Sequence, residues 1–172
     1  MGELAASATP DEELVSIGLG SCVGVALLDA VNGVAGLAHV MLPEANAAYS
    51  APAKFADRAI PTLIAATERL GAVRDRLEAV LIGGAQMFGK TGTARANGAG
   101  TLDLGARNEA AVREALAREQ ISIRAAATGG SRGRTVRVCA VPALVGVKEA
   151  GGVEVELWGT APGALAAEGE AA

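Results

Sequence analysis

The sequence predicts an α+β fold, a layered, sheet-rich sandwich with two main helices. Three observations carry that reading. Short β-forming runs occupy both ends of the chain, two amphipathic stretches lie between them, and the interior must be built from small residues. Of 172 residues 51% are hydrophobic, with a mean hydropathy of +0.33, yet only 2% are aromatic, so Ala, Val, Leu and Gly must fill the core. That length suits one domain with a sizeable interior.

Three β-like runs open the domain, at residues 14–19, 23–29 and 34–42. Gly20-Ser21-Cys22 breaks the first from the second. Asn32-Gly33 between the second and third is a strong hairpin signal. A helix is expected over 52–70, because Ala56, Ile60, Leu63, Thr67 and Leu70 recur at helical spacing and form one stripe. Pro61 inside it implies a kink or a second start. Residues 77–82 read as a buried strand ending in Gly83-Gly84. Residues 89–105 form a glycine-rich loop, and a second helix follows over 107–119 with Val112 and Leu116 on one face. The runs 121–127, 135–141, 144–148 and 153–158 then read as strands, and Pro142 makes a tight connection. Residues 1–12 and 161–172 are rich in Ala, Gly, Glu and Pro and are expected to be disordered tails around a single domain at 13–160.

The net charge of −4 is uneven. Glu3, Asp11, Glu12 and Glu13 at one end and Glu168 and Glu170 at the other leave a middle with 13 acids against 15 bases. No basic stripe or aromatic platform supports nucleic-acid binding. Arg124, Arg132, Arg134 and Arg137 form one mild basic cluster, read as a solvated strand face. No apolar run approaches the ~20 residues that span a bilayer. The acidic start lacks the parts of a signal peptide, and Ala6 breaks the myristoylation pattern that Gly2 suggests. These features read as a cytosolic protein. Cys22 and Cys139 are the only cysteines and His39 the only histidine, too few for a four-ligand zinc site without carboxylates. A disulfide between the two cysteines is disfavoured in a reducing cytosol.

Two motif matches fail on context. Gly84 to Thr91 fits the phosphate-binding pattern G-x-x-x-x-G-K-[ST], but the residues after it cannot readily begin the required helix. Gly129-Gly130-Ser131-Arg132-Gly133 fits the nucleophile elbow G-x-S-x-G, but a strand follows it and the sole histidine precedes it; a glycine-rich hairpin loop is the simpler reading.

The remaining constellation is Ser16, Cys22 and His39. Cys22 lies on a glycine-flanked turn and starts one strand, and His39 lies late on the strand that hairpins back. The reach from the Asn32-Gly33 turn places them near one another without direct pairing, with a bulge or adjacent strand to close the gap. In thiol acyl transfer an imidazole holds the thiolate, protonates the leaving amine and activates water, and a third polar group orients the ring. Ser16 can be that group, and the backbone N–H of Cys22, on a turn that Gly20 and Ser21 support, can receive an oxyanion. On the residues alone, plainer readings stand beside this one: a small buried thiol, a core histidine and an ordinary strand serine.

The blocks Gly18-Leu-Gly-Ser-Cys-Val23, Ala38-His-Val-Met-Leu-Pro43, Gly83-Gly-Ala-Gln-Met-Phe88, Gly105-Ala-Arg-Asn108 and Gly129-Gly130 with Arg134 resemble, in order and spacing over residues 14–150, the CheD family of chemoreceptor glutamine deamidases. The resemblance implies a cysteine-hydrolase fold of the type seen in toxin deamidases. It implies Cys22 as nucleophile and His39 as acid and base, with Ser16 where the family carries threonine. It implies hydrolysis of receptor glutamine to glutamate without metal or organic cofactor, and stimulation of a CheC-type response-regulator phosphatase. An oligomer is not implied, and a monomer is expected. A non-enzymatic adaptor for that phosphatase is the alternative.

Overall fold

In the computed structural model, which describes residues 2–45, 51–86 and 104–159, the chain forms nine strands and two α-helices. The amino-terminal part gives β1 (Leu4–Ser7), β2 (Glu13–Leu19), β3 (Val23–Asp29) and β4 (Val34–Val40). Then come α1 (Ala56–Glu68), β5 (Glu78–Gly83), α2 (Leu104–Arg118), β6 (Ser122–Thr128), β7 (Arg134–Cys139), β8 (Leu144–Glu149) and β9 (Glu154–Gly159). One sheet has the order β1-β4-β3-β5-β6 and the other β2-β7-β8-β9.

Every residue of β3 and β4 is buried. Their unbroken apolar runs need cover on both faces, and both faces receive it. Val23, Val25, Leu27, Ala38 and Val40 pack on Ile60, Leu63 and Ile64 of α1 and on Val112 and Leu116 of α2. On the opposite face Ala26, Leu28, Ala35 and Leu37 pack on Val136, Val138 and Val145 of the second sheet. The layers are therefore helices, five-stranded sheet, four-stranded sheet, as the α+β sandwich reading expects.

The β3–β4 hairpin forms at Asn32-Gly33, with Asp29 opposite Val34. The Asp29 side chain is fully buried and accepts from Val31 N–H, Asn32 N–H, Asn32 Nδ2 and, across the fold, Val73 N–H. Helix α1 runs unbroken through Pro61, so the proline marks no second start. It lies on the exposed face, where water can reach the Asp57 carbonyl that it leaves without an N–H partner. Ala56, Ile60, Leu63 and Thr67 are buried as their spacing predicts, while Leu70 lies past the helix end and is 44% exposed.

Three expectations need correction. The amino-terminal stretch is not a disordered tail: Leu4–Ser7 pairs antiparallel with β4, from Leu4 opposite Ala38 to Ser7 opposite Ala35. Its Ala-rich composition has weak β propensity, but the free edge of β4 supplies a ladder for it. The Gly129-Gly130 stretch is no hairpin. It carries the chain from β6 in one sheet to β7 in the other. Nor is the basic cluster one solvated face, because Arg134 is buried and pairs with Glu149 at 2.7 Å. The expected tail at 161–172 lies outside the described residues, as do residues 87–103, which hold most of the expected glycine-rich loop and the phosphate-pattern residues Lys90 and Thr91.

Candidate active site

Cys22 sits where the chain passes between sheets. Strand β2 ends in the four-stranded sheet, residues 20–22 cross the gap, and β3 begins in the five-stranded one. Ser16 approaches from β2 and His39 from β4.

A bulge sets the aim of β2. Ser16 pairs with Val136 but Leu19 with Arg134, so β2 carries one extra residue between them. Residues an odd number apart on a regular strand face opposite ways. The bulge lets both Ser16 and Leu19 turn into the space between the sheets, where each is buried. Gly18, at φ +74°, takes the left-handed conformation the bulge needs.

His39 pairs with Gly24, and Val23 with Val40. Its neighbours Ala38 and Val40 face the helices, so the imidazole faces the second sheet. There its Nδ1 shares a 3.0 Å hydrogen bond with Ser16 Oγ. Its Nε2 is buried and has no hydrogen-bond partner among the described residues. Cys22 is two residues before Gly24 and packs against the same inter-sheet cluster. Extending the register puts Cys22 opposite Met41, diagonal to His39 on one side of the sheet. The structure thus joins Ser16 to His39, and the ladder register puts Cys22 on the same side of the sheet, one step beyond the last pair. Cys22 and Cys139 are both free thiols.

Burial pushes the Cys22 thiol above its ordinary value and pushes His39 below its own, against an upward pull from Glu3. The two shifts move apart, so at neutral pH the pair rests as thiol and neutral imidazole rather than as an ion pair. A cleft of about 620 Å³ opens beside the ring between the two sheet edges, lined by Glu3, Glu13, Leu14, Ser16, Leu37 and His39 among others.

The crossing loop is held from below by segments far away in sequence. Ala85 N–H donates to Gly20 O at 2.7 Å, Gly84 N–H to Cys22 O at 2.8 Å, and Asn108 Nδ2 to Ser21 O at 2.9 Å. Gly83, at φ +106°, passes so close that a Cβ there would lie 2.4 Å from Cys22 O. Gln86 N–H donates to Gly130 O and Gly129 N–H to Gly83 O, which ties the second inter-sheet crossing to the same place. Arg134 donates to Gly129 O at 2.7 Å and Gly83 O at 3.4 Å. Gly83, Gly84 and Ala85 of one glycine block and Gly129-Gly130 of another form the floor beneath Cys22. Sequence reasoning gave Asn108 no role and read Arg134 only as part of a solvated basic face; their signal for the site was their place in the glycine blocks of the sequence.

The fold and site together define a layered α+β protein with a thiol on an inter-sheet loop beside a serine-bonded histidine. A sequence model described as CheD chemotactic sensory transduction matches residues 41–149. Three relatives, each named a probable chemoreceptor glutamine deamidase CheD, are similar over most of the chain. The protein of Clostridium novyi is 38% identical, covering 84% of this chain and 87% of its own. That of Symbiobacterium thermophilum is 41% identical over 91% and 94%, and that of Desulforamulus reducens 46% identical over 76% of each. The chain belongs to the CheD family. Among the described residues, no helix is long and apolar enough to cross a membrane.

Proposed function

We propose that this protein is a chemoreceptor glutamine deamidase in which Cys22 is the nucleophile, His39 the general base and acid, and Ser16 the residue that orients the ring. Besides family membership, one observation carries the residue roles: the 3.0 Å bond from Ser16 to Nδ1 fixes the ring on the inter-sheet side, with Nε2 unpartnered on the side that Cys22 shares.

The chemistry follows from that arrangement. With Nδ1–H donated to Ser16 Oγ, the Nε2 lone pair is free to act as a base. The resting thiol is protonated, so Nε2 takes its proton as the sulfur attacks the substrate carboxamide. The new C–S bond pushes the carbonyl electron pair onto oxygen, which the Ser21 and Cys22 N–H groups receive, with Gly20 allowing the turn. The tetrahedral intermediate collapses, the C–N bond breaks, and His39 returns the proton to the departing amine as ammonia. A γ-glutamyl thioester remains. His39 then deprotonates water, hydroxide adds to the thioester, and glutamate leaves as the thiol is reformed. The receptor gains one negative charge, and the reaction consumes only water.

Ser16 supplies the hydroxyl that the family's threonine supplies, without the methyl that fixes χ1 in a β-branched residue. The proposal places the protein in the cytoplasm as a monomeric single domain of cysteine-hydrolase type, and includes a CheC-type phosphatase as second partner. A binding titration with that phosphatase should saturate; no binding would remove this part.

Ammonia release from a purified receptor cytoplasmic domain tests the enzyme reading. Wild-type protein should release it, and Cys22→Ala and His39→Ala should fall to background while keeping the wild-type circular dichroism spectrum. Wild-type rates in Cys22→Ala would overturn the proposal.

A further inference from the structure

Gly20, Ser21 and Cys22 direct three consecutive carbonyls to partners in the floor of the site. Backbone N–H groups of Ala85 and Gly84 hold the first and third, and the Asn108 side chain holds the second. In a trans peptide the C=O and the following N–H point to opposite sides of one plane, and the only cis bond in the described chain is Val141-Pro142. Holding Gly20 O inward therefore turns the Ser21 N–H away from the floor. Holding Ser21 O inward does the same to the Cys22 N–H.

Asn108 does a second thing. The same Nδ2 donates to Met41 O at 2.9 Å, two residues past His39. Cys22 and Met41 would form the next pair of the β3–β4 ladder, where the strands part. One amide, 87 residues from Ser21 and 67 from Met41, thus bridges the nucleophile loop and the histidine strand. Two acceptors facing one group fix the amide's orientation, because only its NH₂ can satisfy both. The side chain is fully buried, so the bridge is shielded from competition by water.

We propose that Asn108, anchored on Met41 O, is the positioning residue that turns the Cys22 N–H toward the substrate oxyanion. This rests on the deamidase reading above, but makes its own prediction. Asn108 touches neither the thiol nor the ring in the contacts described. Its loss should impair stabilisation of the oxyanion and leave the thiol chemistry intact.

Two variants separate these effects. Asn108→Ala removes both bonds. Asn108→Asp keeps the shape and faces both carbonyls with an acceptor. In each, kcat for receptor deamidation should fall about 100-fold, the scale for losing one oxyanion donor, while KM stays near wild type. Alkylation of Cys22 by iodoacetamide forms no oxyanion, so its rate and pH profile should stay near wild type. Amide exchange in a peptide covering residues 18–24 should accelerate, with the sheet strands unchanged. Retained kcat in both variants would overturn the proposal, as would alkylation falling in step with kcat. If wild-type protein released no ammonia, the deamidase reading would fail on its own, and the exchange measurement would still decide on Asn108: unchanged exchange over 18–24 refutes it.

Discussion

Strands β3 and β4 are joined at one end and parted at the other, and the two ends are built on opposite plans. At the hairpin end, Asp29 gathers three donors from Val31 and Asn32 within its own turn, and one more from Val73 ties the turn down. At the Cys22 end, among the described residues, the local bond is a single one, from Gly20 N–H to Gly18 O. Its carbonyls are held by Ala85, Gly84 and Asn108, and Arg134 supports the glycines below. The hairpin is held mainly by donors of its own turn, and its work is stability. The opposite end needs three distant segments to hold one short loop, an arrangement that suits the display of a thiol and its N–H groups rather than the shortest connection.

That contrast can be broken from either side. The largest effect is expected at Gly83. Gly83→Val puts a Cβ against the Cys22 carbonyl at a positive φ, so it should cost about 3 kcal/mol or more of stability and leave little deamidase activity; denaturant melts and ammonia release report both. Next is Asp29→Ala, which removes the acceptor of four hydrogen bonds and strands the N–H groups of Val31, Asn32 and Val73, and should cost about 2–4 kcal/mol in the same melts. Because Asp29 lies at the far end, kcat at a temperature where the variant is folded should be unchanged. A parallel loss of kcat would mean that the two ends are coupled.

Smaller changes are expected at Ser16. Ser16→Ala frees the ring at Nδ1 and should lower kcat about 10-fold, with melting temperature changed little. Ser16→Thr should match or exceed wild type, since it restores the branched side chain. Smallest is a pH effect on stability. Burial holds His39 below its ordinary value, so as pH falls through about 6.5 the unfolded chain takes up the proton before the folded chain does. Stability from neutral His39 is complete above that range and is lost below it. The melting temperature of wild type should therefore drop more steeply on acidification than that of His39→Gln.

The sequence made the layers and most strands legible because periodicity and turn chemistry act locally. Asn32-Gly33 marks its hairpin, and the spacing of Ile60, Leu63 and Thr67 marks the buried face of α1. What stayed hidden depends on distant partners. Strand β1 exists because β4 offers it an edge, and its Ala-rich composition says nothing of that. The bulge at Ile17 and Gly18 shows only as buried residues three apart on one strand. The thiol, the imidazole and the hydroxyl could be named from chemistry and resemblance. The floor under Cys22 showed only as glycine blocks with Asn108 and Arg134 in them, because the backbone hydrogen bonds that assemble it leave no trace in side-chain identity.

The central claim is that Cys22 carries covalent hydrolysis of receptor glutamine. Peptide mass spectrometry of a receptor cytoplasmic domain after incubation tests it most directly. Wild-type protein should convert specific glutamines to glutamates, read as replacement of NH₂ by OH in the fragment ions, and Cys22→Ala should convert none. The same conversions at the same rate with Cys22→Ala would contradict the account.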